Sequence, residues 1–136
     1  RRYSTSKLAN MYFTYGLASR LAKGITVNAF DPGLMPGTGL AREYSPVMRF
    51  MWYRIMPHMI PLMRWLVLKN IHSPSESGAA LARLITYPAL AGTTGRYFEG
   101  LKEIPSSEAS YDKNCADELW ESSAILTGQI EATRSK

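Results

Sequence analysis

Tyr3 and Lys7 are the two residues whose types and spacing most directly suggest chemistry. They lie four positions apart in a stretch that predicts a helix, so their side chains should project from the same face. A tyrosine hydroxyl ordinarily ionises near pH ~10, and a neighbouring ammonium favours the phenolate form. The pair can therefore act as a general acid–base, although this spacing is common and also fits two ordinary surface side chains.

The residues that follow predict the elements that would position this pair. Residues 4–23 have apolar side chains close to a 3.6-residue period and predict one helix. The β-branched run 25–30 predicts a strand, which Asp31-Pro32-Gly33 should end. Asp31 is interpreted as a turn-capping residue rather than a catalytic one. A helix, a strand and a glycine-rich loop in this order are typical of layered α/β proteins.

The second half of the chain predicts another helix, strand and helix. Residues 73–76, Ser-Pro-Ser-Glu, have the pattern of a capping box with proline at the first helical position, and predict a helix over 74–87. Residues 95–99 predict a second strand, parallel to 25–30 through a right-handed crossover that includes this helix. A last helix is expected over 112–127, and its expected inward face consists of Ala116, Leu119, Trp120 and Leu126.

The segment 47–68 has an unusual composition. It contains five of the seven methionines, two of the three tryptophans and three arginines, without an acidic residue. We expect Pro57 and Pro61 to divide it into short helices with mobile joints. Because methionine adapts to irregular apolar space, we interpret the segment as a lid over an apolar substrate, with ordinary core packing as the alternative. The residues concerned are Met48, Met51, Met56, Met59, Met63, Trp52, Trp65, Arg49, Arg54 and Arg64.

Composition excludes several classes of protein. The 136 residues are 46% hydrophobic and 20% charged with a net charge of +5, which is typical of one folded domain and not of a disordered chain. No stretch predicts a membrane-spanning helix or a signal peptide. Cys115 is the only cysteine, so a disulfide scaffold is excluded, and it is interpreted as a packing residue rather than a reactive thiol. His58 and His72 lack metal-ligand spacing with Cys115, and we expect no metal.

The charge is unevenly distributed along the chain. Residues 1–72 contain ten basic and two acidic side chains, whereas residues 73–136 contain six basic and nine acidic ones. A basic half can face anionic lipid, nucleic acid or a phosphorylated ligand, or can be a solvated surface. We expect no nucleic-acid partner, because no basic stripe with interleaved aromatic residues is present.

The combination of these motifs resembles the short-chain dehydrogenase/reductase superfamily. The resemblance rests on Tyr3-Ser4-Thr5-Ser6-Lys7 at the start of a long helix and on residues 24–33, Gly-Ile-Thr-Val-Asn-Ala-Phe-Asp-Pro-Gly. Residues 33–43 are similar to a loop of light-dependent protochlorophyllide reductases. Residues 75–78, 95–98 and 119–121 are similar to the same enzymes and to retinol dehydrogenases. The resemblance implies the C-terminal portion of a doubly wound, Rossmann-type parallel sheet with two short parallel strands, flanking helices and a helical lid.

The same resemblance implies roles for individual residues. Tyr3 would donate or accept the proton, and Lys7 would stabilise its phenolate and hold the nicotinamide ribose. Pro32 and Gly33 would place backbone against the nicotinamide ring, where a missing Cβ permits close approach. The cofactor would be NADP(H), and the implied cofactor-binding residues are Tyr3, Lys7, Pro32, Gly33, Leu34 and Thr38.

Two departures qualify the reaction that the resemblance implies. Ala9 and Leu34 stand where protochlorophyllide reductases look to carry cysteines. A carbonyl/alcohol reaction like that of retinol dehydrogenases is therefore at least as well supported as reduction of a tetrapyrrole double bond. The superfamily also needs a glycine-rich phosphate turn, Gly-x-x-x-Gly-x-Gly, after its first strand, and a catalytic serine upstream of the tyrosine. We expect neither in this chain.

We therefore interpret residues 1–136 as a single domain from the C-terminal part of such an enzyme, inactive in hydride transfer without an N-terminal half. Within it, residues 1–46 would carry the catalytic helix, strand and Pro-Gly loop, 47–72 the lid, and 73–136 the remaining helix, strand and C-terminal helix. The expected substrate is a lipophilic small molecule, and the expected location is cytoplasmic. Membrane association through 47–68 and a homo-oligomer are left open. The alternative function is a non-catalytic basic amphipathic module on a membrane surface.

Overall fold

The computed structural model describes residues 2–66 and 69–129, which form an α/β arrangement, as the sequence predicts. Val67 and Leu68 of the expected lid lie outside the described residues. A π-helical turn, Met51–Ile55, joins two of the helices. In chain order the elements are α1 (Arg2–Ala18), β1 (Ala29–Asp31), α2 (Pro46–Phe50), α3 (Met56–Leu66), α4 (Pro74–Thr86), β2 (Tyr97–Glu99), β3 (Lys102–Glu103) and α5 (Lys113–Leu126).

The three strands form one mixed sheet in the order β1-β2-β3. The chain segments of β1 and β2 run parallel, because the Gly95 N–H donates to the Val27 carbonyl (2.7 Å) and the Ala29 N–H donates to the Arg96 carbonyl (2.8 Å). This parallel pairing confirms the expectation. The third strand, β3, pairs antiparallel with β2.

The contacts divide the described residues into two compact units, 2–29, 92–97 and 104–129 in the first, and 30–66, 69–91 and 98–103 in the second. In the first unit, α1 packs against α5. The rings of Phe13 and Trp120 stack with centroids 5.8 Å apart. The Arg20 guanidinium lies 4.6 Å from the Trp120 ring centroid and 2.9 Å from an Asp117 carboxylate oxygen. Because Arg20 directly follows α1 and both of its partners lie on α5, these contacts connect the end of α1 to α5.

The second unit has a small buried core and a well-defined start to α4. Its buried apolar side chains include those of Ile60, Ile71 and Phe98. The capping box is present as the sequence predicts. The Ser73 hydroxyl accepts from the Glu76 N–H (3.2 Å), and the Glu76 carboxylate accepts from the Ser73 N–H (2.7 Å). This reciprocal pair satisfies two of the helix's free N-terminal donors.

The first helix and the first strand differ from their expected bounds. The helix ends at Ala18 rather than at residue 23, and the strand spans 29–31 rather than 25–30. Just before β1, side chains of residues 28 and 94 form hydrogen bonds in place of the backbone pairing of a regular strand. The Val27 N–H donates to the Thr94 hydroxyl (3.1 Å), and the Asn28 amide donates to the Thr93 carbonyl (2.8 Å). The last helix agrees to within one residue at each end, with Asp112 as its N-cap.

The expectation that prolines split the segment 47–68 is wrong for its described part. Residues 46–66 are helical throughout, passing from α2 through the π-helical turn into α3. The π-helical turn lies directly before Pro57, where a proline lacks its N–H and crowds the preceding turn. Pro61 lies inside α3 without ending it. Local widening of the helix therefore accommodates the first proline.

Candidate functional site

Tyr3 and Lys7 lie together near the start of α1. The Lys7 ammonium nitrogen is 5.3 Å from the centroid of the Tyr3 ring, within the range of a cation–π contact. The Tyr3 side chain is 74% exposed, so its hydroxyl is open to a ligand. The structure thus brings the two residues of the expected acid–base pair onto one face.

The Pro32–Thr38 loop belongs to the second unit and begins with a side-chain-capped turn. One Asp31 carboxylate oxygen accepts from the Gly33 N–H (2.9 Å), as expected for a turn-capping aspartate. Leu34 forms an isolated parallel bridge with Ile71. The Thr38 hydroxyl donates to the Met35 carbonyl (2.8 Å), so it is engaged within the loop itself.

Gly33 is required by the chain's own packing. Its φ of +73° lies in the left-handed region that favours glycine. A Cβ at this position would lie 2.3 Å from the Asn70 Oδ1 and 2.7 Å from the His72 Cδ2. The space that a side chain would need is therefore occupied by residues 70–72, which is a structural reason for glycine besides the expected approach of a nicotinamide ring.

The expectation that the chain lacks a Gly-x-x-x-Gly-x-Gly spacing is wrong, since Gly33, Gly37 and Gly39 have it. These glycines do not form a phosphate cradle, however. A Cβ at Gly37 would lie 3.3 Å from the Pro57 ring, and a Cβ at Gly39 would lie 2.7 Å from the Arg42 Nε. The following helix, a 3-10 turn, is only three residues long. Because this turn is too short to offer a helix N-terminus, the loop does not fit a pyrophosphate as the superfamily's glycine-rich turn does.

Cys115 and the histidines show no catalytic or metal-binding arrangement. The Cys115 side chain is exposed, so its interpretation as a packing residue is wrong, and the hydrogen bond with Asp112 raises the pKa of its thiol. Within residues 2–66 and 69–129, no group of three His, Cys, Asp or Glu side chains could hold a metal ion. A raised thiol pKa lowers the thiolate fraction at neutral pH, which agrees with the interpretation of an unreactive cysteine.

Sequence reasoning missed a hydroxyl cluster that connects α1 with the loop before α5. The Tyr15 hydroxyl lies 2.6 Å from the Ser106 Oγ, and the Tyr111 hydroxyl accepts from the Ser106 N–H (3.1 Å). Burial raises the pKa of Tyr15, whereas hydrogen bonds from Ser106 and Tyr15 lower the pKa of Tyr111. The two rings stack at 5.4 Å, so the cluster anchors this loop to α1. No local pattern in the sequence connects residues so far apart.

A largely apolar cavity of about 560 Å³ lies between α1 and α5. Phe13, Leu119 and Trp120 line it, with Asn10 and Thr127 among its polar groups. Tyr3 and Lys7 do not line this cavity, and for this reason it is not assigned to the expected reaction.

Comparison with known proteins identifies similar chains although no family model matches. Human retinol dehydrogenase 14 is 33% identical over 131 residues, which are 95% of this chain and 36% of that protein. Human polyprenol dehydrogenase is 29% identical over 134 residues, covering 96% of this chain and 37% of that protein. Protochlorophyllide reductase A of Oryza sativa subsp. japonica is 29% identical over 137 residues, covering 96% and 33%. The chain therefore spans about a third of the length of these relatives.

Proposed function

Because this chain is similar along almost its whole length to retinol dehydrogenases and protochlorophyllide reductases, its predicted relationship to the short-chain dehydrogenase/reductase superfamily is confirmed, and we propose that it takes part in a nicotinamide-dependent oxidoreduction. The observation that carries this proposal is the Tyr3–Lys7 pair on the first turns of α1, with its exposed phenol. The proposed reaction interconverts a lipophilic carbonyl and its alcohol, with a tetrapyrrole double bond as the alternative substrate group.

In this proposal Tyr3 gives the proton to the substrate oxygen, or removes it in the reverse direction. Lys7 stabilises the phenolate form of Tyr3 and binds the nicotinamide ribose, whose hydroxyl groups match an ammonium and a phenol as donors. When bound, the nicotinamide supplies or accepts the hydride. The backbone of Pro32, Gly33 and Leu34 and the side chain of Thr38 are the further proposed contacts of the cofactor, NADP(H).

The glycine loop 33–39 receives no pyrophosphate contact in this proposal, because only a three-residue helical turn follows it. We also propose that these 136 residues do not transfer hydride alone, as the match covers 36% of human retinol dehydrogenase 14. The C-terminal part of a doubly wound sheet is the fold that we assign to them.

The proposed substrate class is lipophilic. Two of the relatives are named for retinol and polyprenol, both apolar alcohols. In this chain, the helical segment 46–66 exposes large apolar side chains, with Phe50 61%, Leu62 48% and Trp65 81% exposed. Apolar side chains on a methionine-rich helix can adapt to a bulky apolar ligand, and this supports the lid interpretation.

The proposed acid–base role is tested by Tyr3→Phe in the full-length protein, with NADPH and a lipophilic aldehyde as substrates. We expect turnover to fall by about 10²–10⁴-fold, while cofactor affinity changes little because the phenol is not the main cofactor anchor. Tyr12→Phe is the matched control on the same helix, because the Tyr12 hydroxyl is bonded to the Ala109 carbonyl (2.9 Å). Lys7→Ala should reduce both turnover and cofactor affinity. Wild-type turnover in Tyr3→Phe would show that Tyr3 is not the proton donor.

A second function, peripheral binding to anionic membranes, is favoured by the charge of the same segment. Residues 44–66 contain no acidic side chain. Arg49 and Arg54 are exposed, and within residues 2–66 and 69–129 neither forms an ion pair. Arg64 differs from them, because it is paired with Glu76 at 3.0 Å and donates to the Ile71 carbonyl at 2.8 Å. We propose that Arg49 and Arg54, and not Arg64, face anionic lipid beside the exposed apolar side chains.

Co-sedimentation with phosphatidylglycerol vesicles tests this second function. The double variant Arg49→Glu/Arg54→Glu should lose most vesicle binding, and the wild-type protein should bind less as salt rises. Arg83→Glu on α4 is the control, because it changes a charge elsewhere in the same unit. Equal binding by the double variant and the wild type would contradict the proposal. Among the described helices, none is both long and apolar enough to cross a bilayer.

A further inference from the structure

We infer that Asn70 and Ser77 are positioning residues that hold the Pro32-Gly33-Leu34 turn in one conformation, with Asp31 as the group on which Asn70 acts. We call the hydrogen bonds that Asp31, Asn70 and Ser77 make to this turn the clamp, and all of these residues belong to the second unit. Its consequence for the cofactor rests on the proposed function, in which this turn contacts the nicotinamide.

The Asp31 carboxylate is the centre of the clamp. Its Oδ1 accepts from the Gly33 N–H at 2.9 Å, and its Oδ2 accepts from the Asn70 Nδ2 at 3.0 Å. Each carboxylate oxygen therefore has a donor, one from within the turn and one from a residue 39 positions along the chain. Asp31 by itself would cap the turn locally, whereas Asn70 fixes the orientation of that carboxylate.

The backbone on both sides of Gly33 is held by the same segment. The Leu34 N–H donates to the Asn70 carbonyl (3.0 Å), and the His72 N–H donates to the Leu34 carbonyl (3.0 Å). The Ser77 hydroxyl, on the buried side of α4, donates to the Pro32 carbonyl at 2.7 Å. Three polar groups of the turn thus have partners in residues 70–77, so the turn cannot change shape without breaking several hydrogen bonds.

The orientation of the Asn70 amide has a physical cause. Its Oδ1 is buried without a hydrogen-bond partner and lies 2.3 Å from the place where a Gly33 Cβ would be. Reversing the amide would give this oxygen new surroundings but would point it at the Asp31 carboxylate, where two acceptors would repel. The Nδ2–Asp31 hydrogen bond therefore outweighs the unpartnered acceptor, which indicates that holding Asp31 is the function of this side chain.

The first test is the melting temperature of the cofactor-free full-length protein between pH 5 and pH 8. Asn70→Asp places a second carboxyl group beside Asp31. At low pH the two carboxyls share one proton and keep a hydrogen bond, whereas at higher pH both ionise and repel. A carboxyl that holds its proton more tightly when folded makes stability fall as pH rises. We expect Asn70→Asp to lose about 5 °C more than the wild type over this range.

The reciprocal variant makes this test decisive. Asp31→Asn/Asn70→Asp again has one amide and one carboxylate, with their positions exchanged. The oxygen of the new amide at position 31 would accept from the Gly33 N–H, and its nitrogen would donate to the new carboxylate at position 70. This variant should recover most of the melting temperature and lose the added pH dependence. The other titratable or charged side chains of the segment that holds this turn, His72 and the Arg64–Glu76 pair, are unchanged in every variant. The positioning role of Asn70 is contradicted if Asn70→Asp has the wild-type melting temperature across this pH range. It is also contradicted if the reciprocal variant recovers none of the lost melting temperature.

The second test connects the clamp to cofactor binding. Ser77→Ala removes the donor to the Pro32 carbonyl, and Ser75→Ala is its matched control because Ser75 is exposed on the same helix. In the full-length protein we expect Ser77→Ala to raise the KM for NADPH roughly tenfold with a smaller change in kcat. Equal KM values in Ser77→Ala and the control would overturn the positioning role. If the melting tests succeed but the wild-type protein binds no NADPH, the clamp stands and the proposed function fails.

Discussion

Gly33→Ala should be among the most destabilising single substitutions in the second unit. The Gly33 φ of +73° costs an alanine roughly 1–2 kcal/mol, because its Cβ crowds the backbone in the left-handed region. The new methyl group would also lie 2.3 Å from the Asn70 Oδ1 and 2.9 Å from the Asn70 carbonyl oxygen. Overpacking of this kind costs about 1–3 kcal/mol. We therefore expect the free energy of unfolding to fall by about 2–5 kcal/mol.

Gly92→Ala is a control that separates the cost of the left-handed backbone conformation from the cost of overpacking. Gly92 has a similar φ of +81°, and nothing lies within 4 Å of its Cβ position. Gly92→Ala should therefore lower the free energy of unfolding only by the cost of the left-handed backbone conformation, roughly 1–2 kcal/mol. Urea unfolding followed by far-ultraviolet circular dichroism measures both losses. If Gly33→Ala costs no more than Gly92→Ala, residues 70–72 do not fill the space beside Gly33 as described.

Four other substitutions test contacts elsewhere. Hydrogen bonds from the Arg64 guanidinium and from Ser73 hold the pKa of Glu76 at about 2 rather than 4.5. The contribution of Glu76 to stability is therefore present above pH 4.5 and lost as pH falls toward 2. Glu76→Gln should cost about 0.5–1 kcal/mol at pH 7, because the pair is half-exposed, and the two unfolding curves should converge in acid. Asp112→Asn keeps a capping side chain but removes the charged carboxylate whose hydrogen bond raises the pKa of Cys115, so iodoacetamide should modify the thiol several-fold faster at pH 8. Trp120→Ala should lower the free energy of unfolding by about 2 kcal/mol, whereas Trp65→Ala should change it little, as calorimetry can measure.

Local sequence patterns predicted the parts of this fold that depend on neighbouring residues. The capping box at Ser73 and Glu76 is present because a serine and a glutamate three positions apart satisfy each other's backbone donors. Asp31 caps the Pro-Gly turn for the same short-range reason. In each case the partners are at most three residues apart, so the pattern alone contains the interaction.

The features that the sequence did not predict depend on distant partners. β1 begins late because Thr93 and Thr94 bond to Val27 and Asn28, and those threonines lie more than sixty residues away. Similarly, no local signal indicates that Asn70 reaches Asp31. Leu126 was expected to face inward but is 86% exposed, since periodicity identifies an apolar face without showing how far its neighbour extends.

The candidate site is predictable only in part for the same reason. The Tyr3–Lys7 contact follows from helix geometry, which places positions four apart on one face. The glycine spacing over 33–39 matches a phosphate-binding motif by count, yet the Cβ positions of these glycines face protein atoms. A motif of this kind specifies backbone freedom, whereas only the tertiary structure determines what occupies the space beside it.

The one extra residue in the π-helical turn over 51–55 determines which side of the following helix, α3, faces inward. A π turn accommodates one more residue than an α turn, so it rotates the helix that follows by about 100° relative to the helix that precedes it. Deleting one residue from 51–55 would restore an uninterrupted α-helix. It would also bring Ile60 off its buried position and turn a different side of α3 inward. Length variation at this one turn can thus change which side chains the segment exposes, without altering any residue from 56 onward.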